Sequence, residues 1–267
     1  MPLLQLAILA LIQGVTEFLP ISSSGHLALF PALSGEADQG LMIDVAVHLG
    51  TLVAVVIFFR HDVARAAAGG VHVLTGRTRT YEAGLALRLV AATIPVVIAG
   101  LILSAAGLTD IFRNVEVIAW STVIFGVVLW LCDRLGPLIR KAEDWSWRDA
   151  ILMGLAQAVA LIPGTSRSGI TISAARALGY ERTDAARLSM LMSIPTILAA
   201  GTLTAKDLLD AGDMALGADA AIAAGLSCVS ALLALTLMMR MLRTWTMTPF
   251  VLYRFALGGA LLIWLYA

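Results

Sequence analysis

Charged residues and cysteines are scarce in this chain of 267 residues. Only 13% of the residues are charged, whereas 60% are hydrophobic, and the mean hydropathy is +0.90. A soluble domain of this length needs a more charged surface, so we expect lipid to surround most of the chain. The formal net charge is zero, which argues against a nucleic-acid partner. The two cysteines, Cys132 and Cys228, lie in apolar runs, which argues against a disulfide framework.

Lysine and arginine are absent before Arg60. The apolar start MPLLQLAILALI therefore lacks the basic leader of a secretory signal, and no convincing small-residue cleavage site follows it. We interpret this segment as part of the mature structure.

Long apolar runs are abundant. Six of them reach the length of about 20 residues that a membrane-crossing helix needs. These predicted spans are residues 41–59, 87–107, 116–133, 187–204, 219–239 and 249–266. Two further stretches, 3–30 and 149–178, are broken by Pro20 and by Pro163-Gly164, and their halves are too short to span. The sequence predicts an all-α integral membrane protein with six transmembrane helices and two re-entrant helical hairpins.

The charged loops orient these spans. Arginines are concentrated in residues 60–88, 176–187 and 240–248, whereas residues 205–219 carry four aspartates and one lysine. The arginine-rich loops should be cytoplasmic and the acidic loop external. This topology places both chain termini outside and makes the two broken hairpins enter from opposite faces of the membrane.

An internal repeat supports the same arrangement. QGVTEFLPISSSG at 13–25 and QAVALIPGTSRSG at 157–169 share glutamine, proline, serine and glycine in the same order. Three predicted spans follow each copy, and an odd number of crossings inverts the second copy. We therefore expect a single membrane domain, 1–267, with inverted repeats of approximately 1–135 and 149–267 whose broken helices meet near the midplane.

Two charged residues, Glu17 and Arg167, fall in the turns of the broken hairpins. Charges at membrane depth are costly and usually face a cavity, in a pair or in a functional site. The simpler alternative is a structural ion pair that only holds the hairpins together. The segment PGTSRSGIT at 163–171 offers a guanidinium, hydroxyls and a helix start, which suit a phosphate group.

The segment EFLPISSSGH at 17–26 supplies reactive groups. A serine can act as nucleophile when a base takes its proton, and His26 or Glu17 could be that base. Glu17 could instead hold a divalent cation together with Gln13, one helical turn earlier. Combined with the arginine turn, these residues predict phosphoryl transfer. Asp44 and His48 share a helix face, and either a site entrance or a structural pair remains open for them.

In these motifs the chain resembles the undecaprenyl-pyrophosphate phosphatases of the bacitracin-resistance (BacA-type) family. The resemblance rests on the Gln13-x-x-x-Glu17 segment that runs on to His26, and on PGTSRSGIT with Arg167 at its centre. It covers essentially the whole chain. It implies hydrolysis of undecaprenyl pyrophosphate to undecaprenyl phosphate and inorganic phosphate, aided by Mg²⁺ or Ca²⁺, at the external side of the bacterial inner membrane. The product is the lipid carrier of cell-wall synthesis, and bacitracin resistance follows.

The resemblance also implies roles for individual residues. Glu17 becomes a metal ligand or proton-transfer group, Ser23 the nucleophile with Ser22 as runner-up, His26 the general acid/base, and Arg167 the pyrophosphate clamp. The residues implied to bind substrate are Gln13, Ser22, Ser24, Thr165, Ser166, Ser168 and Thr171.

The motif's first acidic position is Gln13 here, an allowed variant. Gln13 can ligate a metal only through a neutral carbonyl, which leaves Glu17 as the main anionic ligand.

Two alternatives remain. An inverted repeat with a midplane site is also typical of a transporter, here a polyprenyl-phosphate flippase. The tripeptide Ser24-Gly25-His26 matches a segment of the type-2 phosphatidic acid phosphatases, but the flanking motifs of that family are missing. The sequence leaves open whether the protein is a monomer or a homodimer.

Overall fold

The computed structural model of the protein describes residues 2–35, 40–108, 114–210 and 217–267. In these ranges the chain is helical and connected by turns, and the one β-bridge joins Arg140 to Tyr180. The helices are α1 (Leu3–Thr16), α2 (Ser23–Ser34), α3 (Leu41–Phe58), α4 (Arg60–Leu74), α5 (Tyr81–Ala105), α6 (Val115–Leu135), α7 (Trp147–Ala158), α8 (Arg167–Ala177), α9 (Arg182–Asp210), α10 (Ala218–Met241) and α11 (Thr248–Tyr266). Two short 3-10 turns lie at Ala142–Asp144 and Val159–Leu161.

Several helices are long and apolar enough to cross a bilayer. Within the described ranges there are 5 of them: α5, α6, the Arg182–Thr202 part of α9, α10 and α11. The count is 6 if the bent pair α3 and α4 forms one span. These lengths and compositions identify a multi-pass, all-helical membrane protein.

Each predicted span overlaps an observed helix, but two of the segments that connect the spans differ from the prediction. The arginine-rich segment 60–88, which we expected to be a loop, contains α4, bent by 93° from α3. The acidic segment 205–219 begins within α9, and residues 211–216 of it lie outside the described residues. We expected a loop because Arg60, Asp62 and Arg65 fall in this segment, but it forms an amphipathic helix that buries Asp62 and Gly69.

Each broken stretch forms two short helices. The first contains α1 and α2, separated by residues 17–22. The second contains α7 and α8, separated by a 3-10 turn and residues 162–166. Helix α1 has 14 residues and α7 has 12, so neither alone has the roughly 20 residues of a membrane crossing.

Large apolar side chains cover the outside of the bundle. On α5, Val90, Ile94 and Ile98 are 50–55% exposed and lie at successive helical turns. Such a stripe would be unfavourable in water but is what a lipid-facing helix surface requires.

Close helix contacts depend on small residues. A Cβ atom on Gly14 of α1 would lie 1.9 Å from the Ser230 hydroxyl oxygen of α10, and one on Gly154 of α7 would lie 2.6 Å from the Ala92 carbonyl oxygen of α5. Membrane helices pack most tightly where such residues let their backbones approach. The first helix of each broken stretch therefore packs on a long helix of the other half of the chain.

A polar cluster fixes the start of α7. Asp149 accepts hydrogen bonds from Arg140 at 2.6 Å and from the hydroxyls of Ser146 and Tyr180, each at 2.7 Å. Burial raises the pKa of Asp149, but these hydrogen bonds outweigh burial and lower the pKa to about 2. The Asp149 carboxylate is thus charged at neutral pH and ties α7 to the chain before α9.

Candidate active site

The turns of the two broken stretches meet inside the bundle. Arg167, the first residue of α8, donates a hydrogen bond from Nη2 to Oε1 of Glu17 at 2.8 Å. The two residues are 150 positions apart in the chain. The prediction that the two turns converge is confirmed.

The Glu17 carboxylate connects the arginine to the serine segment. Its second oxygen, Oε2, accepts a hydrogen bond from the Ser23 hydroxyl at 2.5 Å and another from Gln13 Nε2 at 3.1 Å. The residue is only 7% exposed. A buried carboxylate this close to a hydroxyl is placed to accept its proton, and the arginine stabilises the carboxylate's charge.

Both turns end with a serine in an uncommon backbone conformation. Ser22 has φ 75° and Ser166 has φ 70°, and these are the non-glycine residues with positive φ in the described ranges. Each serine caps the following helix: the Ser22 hydroxyl accepts from Gly25 N, and the Ser166 hydroxyl accepts from Gly169 N. Such conformations are unfavourable for residues with a Cβ and cluster at functional sites. The caps position Ser23 and Arg167, each the first residue of its helix.

A buried arginine of α11 joins the two turns. Arg254 is 0% exposed and donates to the carbonyl oxygens of Pro20, in the first turn, and Gly164, in the second, at 3.2 and 2.9 Å. It also donates to the Thr122 carbonyl of α6 at 3.1 Å. Our sequence interpretation missed this residue. The sequence did contain a signal for Arg254: it is the one charged residue in the apolar run 249–266, and a charge in such a run must find internal partners.

His26 lies beside the site with a partner for each ring nitrogen. Nδ1 lies 2.7 Å from the Ser22 carbonyl oxygen and Nε2 lies 2.6 Å from the Tyr253 hydroxyl, whose ring stacks on the imidazole. A carbonyl can only accept, so Nδ1 carries a proton, and in the neutral imidazole Nε2 accepts from the Tyr253 hydroxyl. The contacts of His26 are thus to Ser22 and Tyr253. Its acid/base role stays a prediction, and Tyr253 is a neighbour that the sequence did not reveal.

His48 approaches Glu17 from α3. Its Nε2 lies 3.9 Å from Glu17 Oε2, and its side chain is 39% exposed. Its Nδ1 lies 2.7 Å from the backbone carbonyl oxygen of Asp44. The sequence left open whether Asp44 and His48 line a site entrance or form a structural pair. In the structure, His48 lies at the edge of the Glu17 cluster, and the backbone of Asp44 orients its ring.

Several residues predicted to bind substrate make hydrogen bonds within the protein, and Ser168 joins the two turns. Ser168 donates to the Leu19 carbonyl of the first turn at 2.9 Å. Thr171 lies 2.6 Å from the Ser189 hydroxyl of α9. Ser24 is exposed, and its hydroxyl lies 3.4 Å from that of Ser22. The substrate-binding roles of these residues stay predictions.

Four polar atoms around the turns are buried without a hydrogen-bond partner among the described residues. They are Oε1 of Gln13, Oε1 of Gln157, Oγ1 of Thr165 and Nη1 of Arg167. A buried polar atom is costly unless it is bound. The arginine and threonine atoms can donate to an anion such as a phosphate, whereas the two glutamine oxygens can only accept.

The side chains around the turns are too few to hold a divalent cation by themselves. They could hold one that is also bound by the phosphates of the substrate. The described residues contain no group of three or more His, Cys, Asp or Glu side chains with metal-binding geometry. Glu17 offers one carboxylate and Gln13 one unpartnered amide oxygen. Mg²⁺ is often held by one or two carboxylates together with substrate phosphates, and this donor set meets that requirement.

Comparison with known proteins gives full-length matches. Residues 6–260 match the family described as bacitracin resistance protein BacA. A protein named undecaprenyl-diphosphatase from Ruegeria pomeroyi is 58% identical over 262 residues, 98% of each chain. A protein of the same name from Dinoroseobacter shibae is 58% identical over 267 residues, 100% of each chain.

Proposed function

Because this chain belongs to the bacitracin resistance protein BacA family, we infer that it is an undecaprenyl-diphosphatase. It hydrolyses undecaprenyl pyrophosphate to undecaprenyl phosphate and inorganic phosphate. The lipid product returns to cell-wall synthesis, and its recycling accounts for bacitracin resistance. The main structural support for this function is the position of the Glu17 carboxylate, which is hydrogen-bonded to both Arg167 and Ser23.

The proposed reaction begins with the diphosphate between the two turns. Arg167 keeps Nη2 on Glu17 and offers its unpartnered Nη1 to a phosphate oxygen. The Ser23 oxygen attacks the terminal phosphorus while its proton passes to Glu17 Oε2. The bond from that phosphorus to the bridging oxygen breaks, and undecaprenyl phosphate leaves with its negative charge stabilised by Arg167.

Water completes the proposed cycle. It attacks the phosphorus bound to Ser23, releases inorganic phosphate and restores the serine hydroxyl, and the proton held by Glu17 is returned to solvent. His26 is proposed to assist as general acid/base, since catalytic hydrogen bonds often form only once substrate is bound. Ser22 is the weaker candidate for nucleophile because its oxygen accepts the Gly25 amide.

A divalent cation, Mg²⁺ or Ca²⁺, would be held by Glu17 and Gln13 together with the diphosphate. When bound, the cation would neutralise part of the negative charge on the phosphate oxygens. The protein groups still have to orient the diphosphate and move the serine proton.

We also propose six transmembrane helices with two re-entrant hairpins in an inverted repeat, in the bacterial inner membrane, with the site open to the exterior. The short helices α1 and α7 support this, since each packs on a long helix of the opposite half. The matched caps Ser22 and Ser166 support it as well. The arginine-rich loops, read by the positive-inside rule, support the proposed orientation of the spans. The opening of the site to the exterior is what the resemblance to the family implies.

Phosphate release from undecaprenyl pyrophosphate by the purified protein in detergent tests the function. We expect release by the wild type and a loss of at least about 100-fold in Ser23→Ala. A flippase without hydrolysis would release no phosphate, because detergent leaves no second compartment. Near-normal activity of Ser23→Ala would show that water or Ser22 attacks, and would overturn the Ser23 step while leaving the activity intact.

A further inference from the structure

An apolar groove lies on α6 beside the second turn, outside the polar cluster. Its volume is about 350 Å³. Its apolar walls are Val117, Trp120, Ile124 and Phe125 of α6 and Ile162 of the second turn. The lining also includes Glu116, whose carboxylate accepts a hydrogen bond from the Tyr266 hydroxyl of α11. Trp120 and Ile124 are 46% and 51% exposed, so the groove opens towards the lipid.

The groove is joined to the second turn through Ser121. This residue lines the groove, and its hydroxyl donates to the Pro163 carbonyl at 2.5 Å. Pro163 and Gly164 lead directly to Thr165, whose Oγ1 is buried without a partner among the described residues, and to Arg167, which donates to Glu17. One wall of the groove is therefore fixed to the loop that carries the proposed phosphate clamp.

We propose that this groove binds the isoprene units of the substrate nearest to its diphosphate. The proposal rests on the proposed function, which requires an apolar chain to leave the site at membrane depth. A phosphate held at Arg167 brings the attached chain to this loop, and the adjoining groove has apolar walls and a lipid-facing opening. The occupant is thus a prenyl chain that enters from the bilayer and remains partly exposed to it.

The length of the groove sets how much of the chain it contacts. The stretch from Val117 to Phe125 spans about 12 Å at the helical rise of 1.5 Å per residue. An extended chain advances about 1.2 Å per bond, as a polypeptide backbone does, so about ten bonds fit, or two to three isoprene units. A 15-carbon prenyl diphosphate should therefore use the groove as fully as the 55-carbon substrate does.

Two exposed tryptophans of α6 give a matched test. Trp120 lines the groove, whereas Trp130 lies on the same helix outside it and is 44% exposed. We expect Trp120→Ala to raise KM about tenfold for both the 15-carbon and the 55-carbon diphosphate, because it removes part of the apolar contact. We expect kcat at saturation to stay unchanged and Trp130→Ala to leave both constants at wild-type values. An unchanged KM in Trp120→Ala, or the same rise in Trp130→Ala, overturns the proposal.

Photolabelling of the wild-type protein provides a measurement that no folding defect can affect. The probe is a 15-carbon prenyl diphosphate with a diazirine on its second isoprene unit, and the control is the corresponding alcohol. Label from the diphosphate should concentrate at residues 117–125 and 162. Label elsewhere, or equal labelling by the alcohol, would show ordinary lipid contact and overturn the groove. Absence of phosphate release from either chain length by the wild type would instead overturn the proposed function.

Discussion

The two polar turns have the same backbone plan and different chemistry. Each has a serine with positive φ that caps a helix through the amide of a glycine three residues later. In each, this serine hydroxyl also lies near the hydroxyl of the serine two residues on, at 3.4 Å in the first turn and 3.1 Å in the second.

The residue that follows the capping serine makes the difference. The first turn places Ser23 there, beside Glu17, whereas the second places Arg167. One backbone plan thus presents the proposed nucleophile and its proposed base in one turn and the proposed phosphate clamp in the other. Neither turn holds a complete site, so the activity should depend on their contact.

The largest effect should come from removing the clamp. We expect Arg167→Ala to lower phosphate release by about 10³-fold, because an arginine that stabilises phosphoryl transfer contributes that much. The assay is phosphate release from undecaprenyl pyrophosphate, with and without a chelator. Arg243→Ala, which removes an exposed arginine, is the control and should keep wild-type activity. An active Arg167→Ala protein would leave the second turn with only a structural role.

Loss of the carboxylate in the first turn should have the next largest effect. Glu17→Gln keeps the size of the side chain but removes the base and the partner of Arg167, so we expect activity to fall about 100-fold. Gln13→Glu, which changes the charge one helical turn away, should be tolerated. If Glu17→Gln retained near-normal activity, the serine proton would have to go to another group.

The hairpins also differ in how their first helices begin. Helix α7 starts with a capping box between Ser146 and Asp149, whereas α1 follows Pro2 and has no side-chain cap. We expect Asp149→Asn to reduce the free energy of unfolding by about 2 kcal/mol at neutral pH, since Arg140 loses its carboxylate partner. The kinetic constants of the folded protein should not change.

The pH dependence gives the check for Asp149. Folding lowers its pKa from 3.8 to about 2, so its contribution is fully present above pH 3.8 and is lost as the pH falls through 2. Thermal unfolding of wild type and Asp149→Asn in detergent should therefore converge in acid. If the difference in unfolding temperature between the two proteins stayed constant down to pH 2, the charge of Asp149 could not be its cause.

The smallest effect should come from the caps, and it should be equal in the two turns. Ser22→Ala and Ser166→Ala each remove a capping oxygen and keep a Cβ at positive φ, so we expect each to cost about 1 kcal/mol of stability. Ser22→Gly and Ser166→Gly should cost less, since glycine accepts positive φ without strain. Chemical unfolding measures all four variants, and a clear difference between the two turns would show that their caps are not equivalent.

The sequence contained strong signals for the helices and for the pairing of the turns. The apolar runs predict the long helices because lipid leaves the backbone no other way to satisfy its polar groups. Glu17 and Arg167 stand out because isolated charges are unfavourable in such runs, and the repeat relates their two segments. Helix α4 was missed because its charged residues suggested a loop, and its position depends on contacts such as that of Asp62 with Arg187 of α9.

The sequence by itself determined that the protein is a helical membrane protein, and it singled out two polar turns, far apart in the chain, as the proposed site. It did so because the cost of charge in lipid is a property of composition. Only the tertiary structure decided which atoms meet. It placed Ser23 on one Glu17 oxygen and Arg167 on the other, and it brought in Arg254 and Tyr253 from α11. Apart from the local contact of Ser23 with Glu17, these contacts join residues more than 100 positions apart and depend on how the helices pack, which no local pattern specifies.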